Sequence, residues 1–296
     1  MSTAELDTTV QQNDVQLTHH TVSTTLGPIA VAEAGSGPVL VMLHGGGPGA
    51  SGVSNYHQNL AALATRFRVI LPDQPGFGGS YRPDEAALDA RSITQITVDA
   101  LFQTLDSLGI DRFNLLGNSL GGAAAIAMAQ SQPERISGLV LMAPGGGWLP
   151  FGPTPTEGQK EMFRYYNSGG PSEKKMANFI RAMVFDHKQF GAEVIKARYE
   201  ASLDDSHIEF YHRYNAAFAN RHGMDPLWRE LHKIKAPTLL LWGRDDRTIT
   251  LDGAQIMLKN IRNVQLHVFG NCGHWVQLER AREFERLVGD FLADLA

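Results

Sequence analysis

The stretch Phe113-Asn114-Leu115-Leu116-Gly117-Asn118-Ser119-Leu120-Gly121-Gly122 decides the fold. Its first half is a short apolar run that reads as a buried strand, and its second half opens an alanine-rich helical pattern, Leu120 to Gln130. Between them, Gly117-Asn118-Ser119-Leu120-Gly121 fits G-x-S-x-G, a sharp strand-to-helix turn that presents a serine in a strained backbone conformation. Small flanking residues let strand and helix approach closely. The helix start also directs free N–H groups and a positive dipole end at the serine.

Similar runs lie on either side. Val39 to Leu43 ends at His44 and a glycine cluster, and Phe67 to Leu71 leads into Pro72-Asp73. Ile136 to Met142, Thr238 to Trp242 and Val264 to Phe269 each end at Gly or Pro. Runs this short, bounded by turn residues, suit strands buried on both faces. Helical spacing appears between them over Ile93–Leu108 and Glu279–Leu292. The alternation predicts a mostly parallel sheet flanked by helices, an α/β fold. Val15–Thr24 and Ile29–Ala34 alternate more loosely and suggest an antiparallel edge.

The connection from Gly145 to Ala236 is too long for a plain loop. Met176, Phe179, Ile180, Met183 and Val184 fall at helical spacing within it, so it is read as an inserted helical cap. Its Phe163, Tyr165, Tyr166, Phe185, Tyr211, Tyr214 and Phe218 either line a pocket or pack the cap onto itself. The expected division is a flexible tail over 1–14, a core over 15–144 and 237–296, and the cap over 145–236.

Bulk properties narrow the classes. The 296 residues carry a formal net charge of −5, which gives no electrostatic reason to expect nucleic acid or an acidic membrane as partner. One cysteine forms no internal disulfide, which fits a reducing cytoplasm. No apolar run reaches the ~20 residues of a membrane helix, and the polar, acidic start lacks the features of a signal peptide.

A serine hydroxyl needs a base, and in this fold class acid and histidine follow the serine, each beyond a later strand. Asp245 and Asp246 follow the Thr238–Trp242 run, and His274 follows Val264–Phe269. Of eleven histidines, His274 alone lies beyond the last strand. Spacing leaves the choice between Asp245 and Asp246 open, with pairing to Arg244 or Arg247 the other role for Asp245. His44-Gly45-Gly46-Gly47-Pro48-Gly49 stands where an oxyanion loop belongs, and the N–H of Leu120 supplies a second donor. It lacks the Gly-Lys-Ser/Thr ending of a phosphate loop. No metal-ligand spacing is present, and Cys272 reads as a small buried filler.

Taken together, HGGGPGASGVSNY (His44–Tyr56), DQPGFGGS (Asp73–Ser80), GNSLGG (Gly117–Gly122), MAPGG (Met142–Gly146), WGRDDR (Trp242–Arg247) and LHVFGNCGHW (Leu266–Trp275) resemble the meta-cleavage product hydrolases. These are α/β-hydrolase-fold enzymes that cut a carbon–carbon bond in 2-hydroxy-6-oxo-dienoates during bacterial aromatic or steroid degradation. The resemblance implies Ser119, Asp246 and His274 as catalytic triad, with Asp246 chosen over its neighbour. It implies Gly46 or Gly47 as oxyanion donor beside Leu120, and Gly47, Asn55, Asn118, Arg198 and Trp275 as substrate contacts. The planar fork of Arg198 suits a carboxylate. It further implies a small-molecule dienoate as the partner, no cofactor or metal, and a cytoplasmic homo-oligomer. The Asp186–Phe190 region matches that family less well. HGGGPG alone also fits an esterase or a proline-iminopeptidase-like hydrolase, and a ligand receptor of the same fold is a third reading.

Overall fold

The computed structural model describes residues 5–12, 15–147, 152–167, 169–220 and 225–295. The strands are β1 (Glu5–Gln12), β2 (Val15–Ser23), β3 (Pro28–Ala34), β4 (Val39–Leu43), β5 (Arg68–Pro72), β6 (Phe113–Asn118), β7 (Ile136–Met142), β8 (Thr238–Gly243) and β9 (Val264–Phe269). They form one sheet in the order β1-β2-β3-β5-β4-β6-β7-β8-β9. From β5 through β9 neighbours run parallel, whereas β1, β2, β3 and β5 pair antiparallel. The loose alternation of Val15–Thr24 and Ile29–Ala34 thus corresponds to the antiparallel edge.

The 1–14 tail needs correcting: residues 5–12 are a strand, paired to β2 from Glu5↔Thr21 to Gln12↔Val15. Backbone ladder bonds on an exposed edge do not require the apolar residues by which a strand is recognised in sequence. The remaining tail residues lie outside those described.

The core helices are α1 (Gly52–Tyr56), α2 (Leu60–Leu63), α3 (Glu85–Ala90), α4 (Ile93–Ser107) and α5 (Leu120–Ser131). The segment between β7 and β8 carries α6 (Glu157–Tyr165), α7 (Glu173–Met183), α8 (Ala192–Ala201) and α9 (Asp205–Asn220). The chain closes with α10 (Ala254–Asn260), α11 (Val276–Glu279) and α12 (Ala281–Ala293). The single helix expected over Glu279–Leu292 is therefore preceded by a separate short turn, broken at Arg280 (φ −130°, ψ 38°).

Alternation along the strands splits the core into two layers. Val41, Leu43, Leu115, Leu141, Leu240 and Trp242 face one way, toward α4, α5 and α10. Leu40, Met42, Leu116, Val140, Leu239 and Leu241 face Tyr56, Leu60, Phe284 and Val288 on the other side. Both layers are needed because all six residues of β6 are buried. Strand order reverses about β4, and β4, β6, β8 and β9 all end on one rim. That is where open α/β sheets place their sites.

Candidate active site

Ser119 sits between β6 and α5 with φ 55° and ψ −113°. A positive φ costs a non-glycine residue about 1–3 kcal/mol and persists only where the surroundings enforce it. Here they do. Ser119 N–H donates to Met142 O at 3.0 Å, and Ser119 O accepts from Gly145 N–H at 2.8 Å. A Cβ on Gly117 would stand 2.4 Å from Gly121 O, and one on Gly121 would stand 2.5 Å from the carbonyls of Leu43 and His44. The glycines of G-x-S-x-G thus allow backbone contact that any side chain would prevent.

His274 and Asp246 meet across the ends of β8 and β9. His274 Nδ1 lies 2.7 Å from Asp246 Oδ2. The other oxygen, Oδ1, accepts from Thr248 N–H at 2.7 Å and Ile249 N–H at 3.0 Å. Both residues are buried. Because the carboxylate keeps three donors, its orientation is fixed, and with it the ring it holds. Asp245 points elsewhere: it pairs with Arg244 at 3.2 Å, at the surface. Ser119 and His274 line the same cavity, and no hydrogen bond joins their side chains.

The glycine loop after β4 is set by His44. Gln74 N–H donates to His44 Nε2 at 2.9 Å, so the ring proton is on Nδ1, which reaches Gly45 O at 2.9 Å. Burial holds the imidazole below its ordinary pKa, in keeping with this neutral tautomer. Gly46 lies against Leu120: a Cβ there would be 2.8 Å from Leu120 Cδ2. Leu120 opens α5, where N–H groups lack partners one turn back. Both residues line the large cavity at Ser119.

Two chambers meet at Ser119, sharing Gly46, Met162 and Thr248. The smaller is polar at its end, with Asn55, Asn118, Arg198, His274 and Trp275. Asn55 Nδ2, Asn118 Oδ1 and Arg198 Nε are buried there without a hydrogen-bond partner among the described residues. The Arg198 guanidinium has its Cζ 4.8 Å from the Trp275 ring centroid and 5.8 Å from that of Phe179. Burial draws its pKa down to about 10, so it stays cationic at neutral pH. A Cβ on Gly47 would be 3.3 Å from Arg198 Nη2, so the glycine lets the cap arginine reach the loop. A partly buried cation and open amide groups together form a site for a small anion.

That chamber has a volume of about 20 Å³, room for roughly one water. Met162 and Met183, both flexible side chains, are among its lining. The second chamber is about 520 Å³ and largely apolar, lined by Phe163, Tyr211, Tyr214, Phe218, Trp228 and Ile249 among others.

Of the site residues expected from the sequence, Gly46, Gly47, Asn55, Asn118, Ser119, Leu120, Arg198, His274 and Trp275 line the two chambers and Asp246 bonds to His274, whereas Asp245 lies apart. Of the seven cap aromatics, Phe163, Tyr211, Tyr214 and Phe218 line the large chamber. Tyr165 and Tyr166 pack inside the cap, and Phe185 is 47% exposed. Sequence reasoning missed Phe179, Met183 and Thr248 as lining residues. The spacing of Phe179 and Met183 on α7 revealed a helix but not which neighbour its face meets. Cys272 is buried, and burial pushes its thiol up, as suits a filler.

The fold and this rim of serine, histidine and aspartate define an α/β hydrolase, and residues 38–281 match the family model for the alpha/beta hydrolase fold. The chain is 41% identical over 263 residues to a 2-hydroxy-6-oxo-6-phenylhexa-2,4-dienoate hydrolase of Comamonas testosteroni, covering 88% of this chain and 89% of that one. It is 40% identical over 256 residues to a 2-hydroxy-6-oxononadienedioate/2-hydroxy-6-oxononatrienedioate hydrolase of Burkholderia vietnamiensis, covering 86% of each. Among solved structures, a meta-cleavage product hydrolase from Pseudomonas fluorescens IP01 superposes with a TM-score of 0.80 at 29% identity. The match covers 98% of this chain and 99% of that one. The 2-hydroxy-6-oxo-6-phenylhexa-2,4-dienoate hydrolase of Rhodococcus sp. strain RHA1 gives 0.84 at 25%, covering 93% and 98%. The chain belongs to the meta-cleavage product hydrolases, the carbon–carbon bond hydrolases of this fold. Among the described residues no helix is long and apolar enough to cross a membrane.

Proposed function

We propose that this enzyme hydrolyses the C5–C6 bond of a 2-hydroxy-6-oxo-hexa-2,4-dienoate bearing an aryl or steroid-derived group on C6, in aromatic or steroid catabolism. Ser119, His274 and Asp246 act as the triad. The observation that carries the reading is Arg198, whose Nε is buried and which has no ion-pair partner among the described residues, in a chamber that opens onto Ser119. Arg198 takes the substrate carboxylate, and Asn55 and Asn118 hold the adjacent oxygen functions. The apolar chamber takes the C6 substituent, which leaves the C6 carbonyl over Ser119.

Chemistry then follows from position. The dienol first becomes its keto tautomer, so that the departing fragment can accept the electron pair. His274 takes the Ser119 proton as the hydroxyl attacks C6, and the N–H groups of Gly46 and Leu120 face the oxyanion. Collapse breaks C5–C6, and the electron pair passes through the C3–C4 double bond to the C2 oxygen. The proton that His274 took from Ser119 goes to that dienolate oxygen, leaving C5 as the terminal CH₂ of the diene. Water activated by the same histidine then releases the acid from Ser119. Asp246 holds the ring and stabilises its charged form. Per turnover, one water is consumed and an acid and a 2-hydroxypenta-2,4-dienoate are formed.

Incubation with 2-hydroxy-6-oxo-6-phenylhexa-2,4-dienoate should yield benzoate and the hydroxypentadienoate in equal amounts. Absence of both products with aryl and steroid-derived substrates alike would remove the reading. Cytoplasmic residence and homo-oligomeric assembly belong to the same proposal, and light scattering of the purified protein checks the assembly.

A further inference from the structure

Glu279 ends α11, beyond the triad, and its carboxylate is buried. Oε1 accepts the Gly273 N–H at 2.7 Å, and Oε2 accepts the Phe185 N–H at 2.7 Å. One donor belongs to the loop that carries His274. The other belongs to the cap, just after α7. No ion pair joins Glu279 to a cation among the described residues, and burial raises its carboxyl above the usual carboxylate range. A side chain that offers acceptors only is what two converging N–H groups require. A glutamine would set an NH₂ group against one of them.

The same two segments are joined at further points. His274 N–H donates to Met183 O at 2.6 Å. Gly273 lies so close to the cap that a Cβ would stand 2.6 Å from Met183 O and 2.8 Å from Val184 Cα. Arg247, next to Asp246, donates to the carbonyls of Arg181 and Val184. The cap segment Met183–Phe185 thus rests on the loops of both His274 and Asp246. The α7 helix immediately before it brings Phe179 and Met183 to the small chamber.

We propose that Glu279 is a positioning residue for His274: by holding one amide of the histidine loop and one of the cap, it sets the imidazole against Ser119 and ties that placement to the substrate-binding face of α7. This rests on the reading of His274 as the base. Glu279 touches no reacting atom, so its effect passes through the histidine.

The test uses Glu279→Gln and Phe185→Pro in the full-length protein. Proline removes the cap donor, at a position whose side chain is exposed, and the extended backbone of Val184 (φ −120°, ψ 156°) suits a following proline. Turnover is measured per active serine, counted by endpoint titration with a phosphonate probe, so that misfolded protein does not enter. Glu279→Gln should lower kcat per titrated site at least tenfold with KM within threefold, and should shift the low-field proton resonance of the His274–Asp246 hydrogen bond. Phe185→Pro should lower kcat in the same sense by a smaller factor, and it decides alone if Glu279→Gln does not fold. Unchanged kcat per titrated site and an unmoved resonance, with only Tm lowered, would overturn the proposal. His274→Ala serves as the control: full activity there would refute the base reading itself, whereas an inactive His274→Ala beside a silent Glu279→Gln refutes the positioning role alone.

Discussion

Asp246 Oδ2 stands 2.7 Å from His274 Nδ1, and the remaining oxygen of Asp246 is held by the amides of Thr248 and Ile249. The adjacent Asp245 turns outward to Arg244. Asp246→Asn keeps the volume but loses the charge and the certainty of the tautomer, so kcat should fall by about three to four orders of magnitude. Asp245→Asn disturbs only a surface pair worth about 0–1 kcal/mol and should leave kcat within about twofold. Steady-state kinetics on both variants checks the assignment. Equal losses would show that the aspartates are misassigned.

Arg198 separates binding from stability. Arg198→Met removes a charge-assisted contact of about 2 kcal/mol to the substrate carboxylate, so KM should rise roughly 30-fold. The same change removes a partly buried cation that has no ion pair among the described residues, so the free enzyme should melt no lower than the parent. A lower Tm with unchanged KM would assign the arginine to the cap's architecture.

Gly121 offers a steric test of the turn. A methyl there meets two backbone carbonyls at 2.5 Å, neither at the end of a flexible side chain. Gly121→Ala should cost about 3 kcal/mol or more, read as a lowered urea midpoint. An unaltered midpoint would mean that the strand and helix are less tightly apposed.

Acid should destabilise the protein through two histidines. Burial lowers the pKa of both His44 and His207 in the folded state. Below about pH 6.5 the unfolded chain takes up protons that the folded rings refuse, so each costs up to about 1.4 kcal/mol per pH unit until its folded pKa is reached. Glu279 acts in the opposite sense, because its raised carboxyl gains a proton first in the folded state. Urea unfolding at pH 7.5 and 5.5 should show a net loss, and His207→Asn should shrink it. Equal stability at the two pH values would contradict this account.

Much of this was legible in the sequence because buried parallel strands are short apolar runs that end on glycine or proline. Those ends mark the rim where Ser119, Asp246 and His274 lie. The edge strand Glu5–Gln12 was missed because its pairing is through the backbone. In the cap, helical spacing found α7, but Phe179 and Met183 look like any core pair until the chamber is seen. Asp246 could not be told from Asp245 by spacing, since the choice depends on which carboxylate faces His274. Glu279 carries no signal in sequence, where it is only the first residue of an expected helix.

The central claim is that Ser119 opens a carbon–carbon bond by attack on the C6 carbonyl, and single-turnover kinetics tests it most directly. Wild type and Ser119→Ala would each be mixed in excess with 2-hydroxy-6-oxo-6-phenylhexa-2,4-dienoate, following loss of its visible absorbance and release of benzoate. Wild type should bleach the chromophore and release benzoate, whereas Ser119→Ala should bind the substrate yet release benzoate at least about four orders of magnitude more slowly. Benzoate release by Ser119→Ala at the wild-type rate would contradict the account.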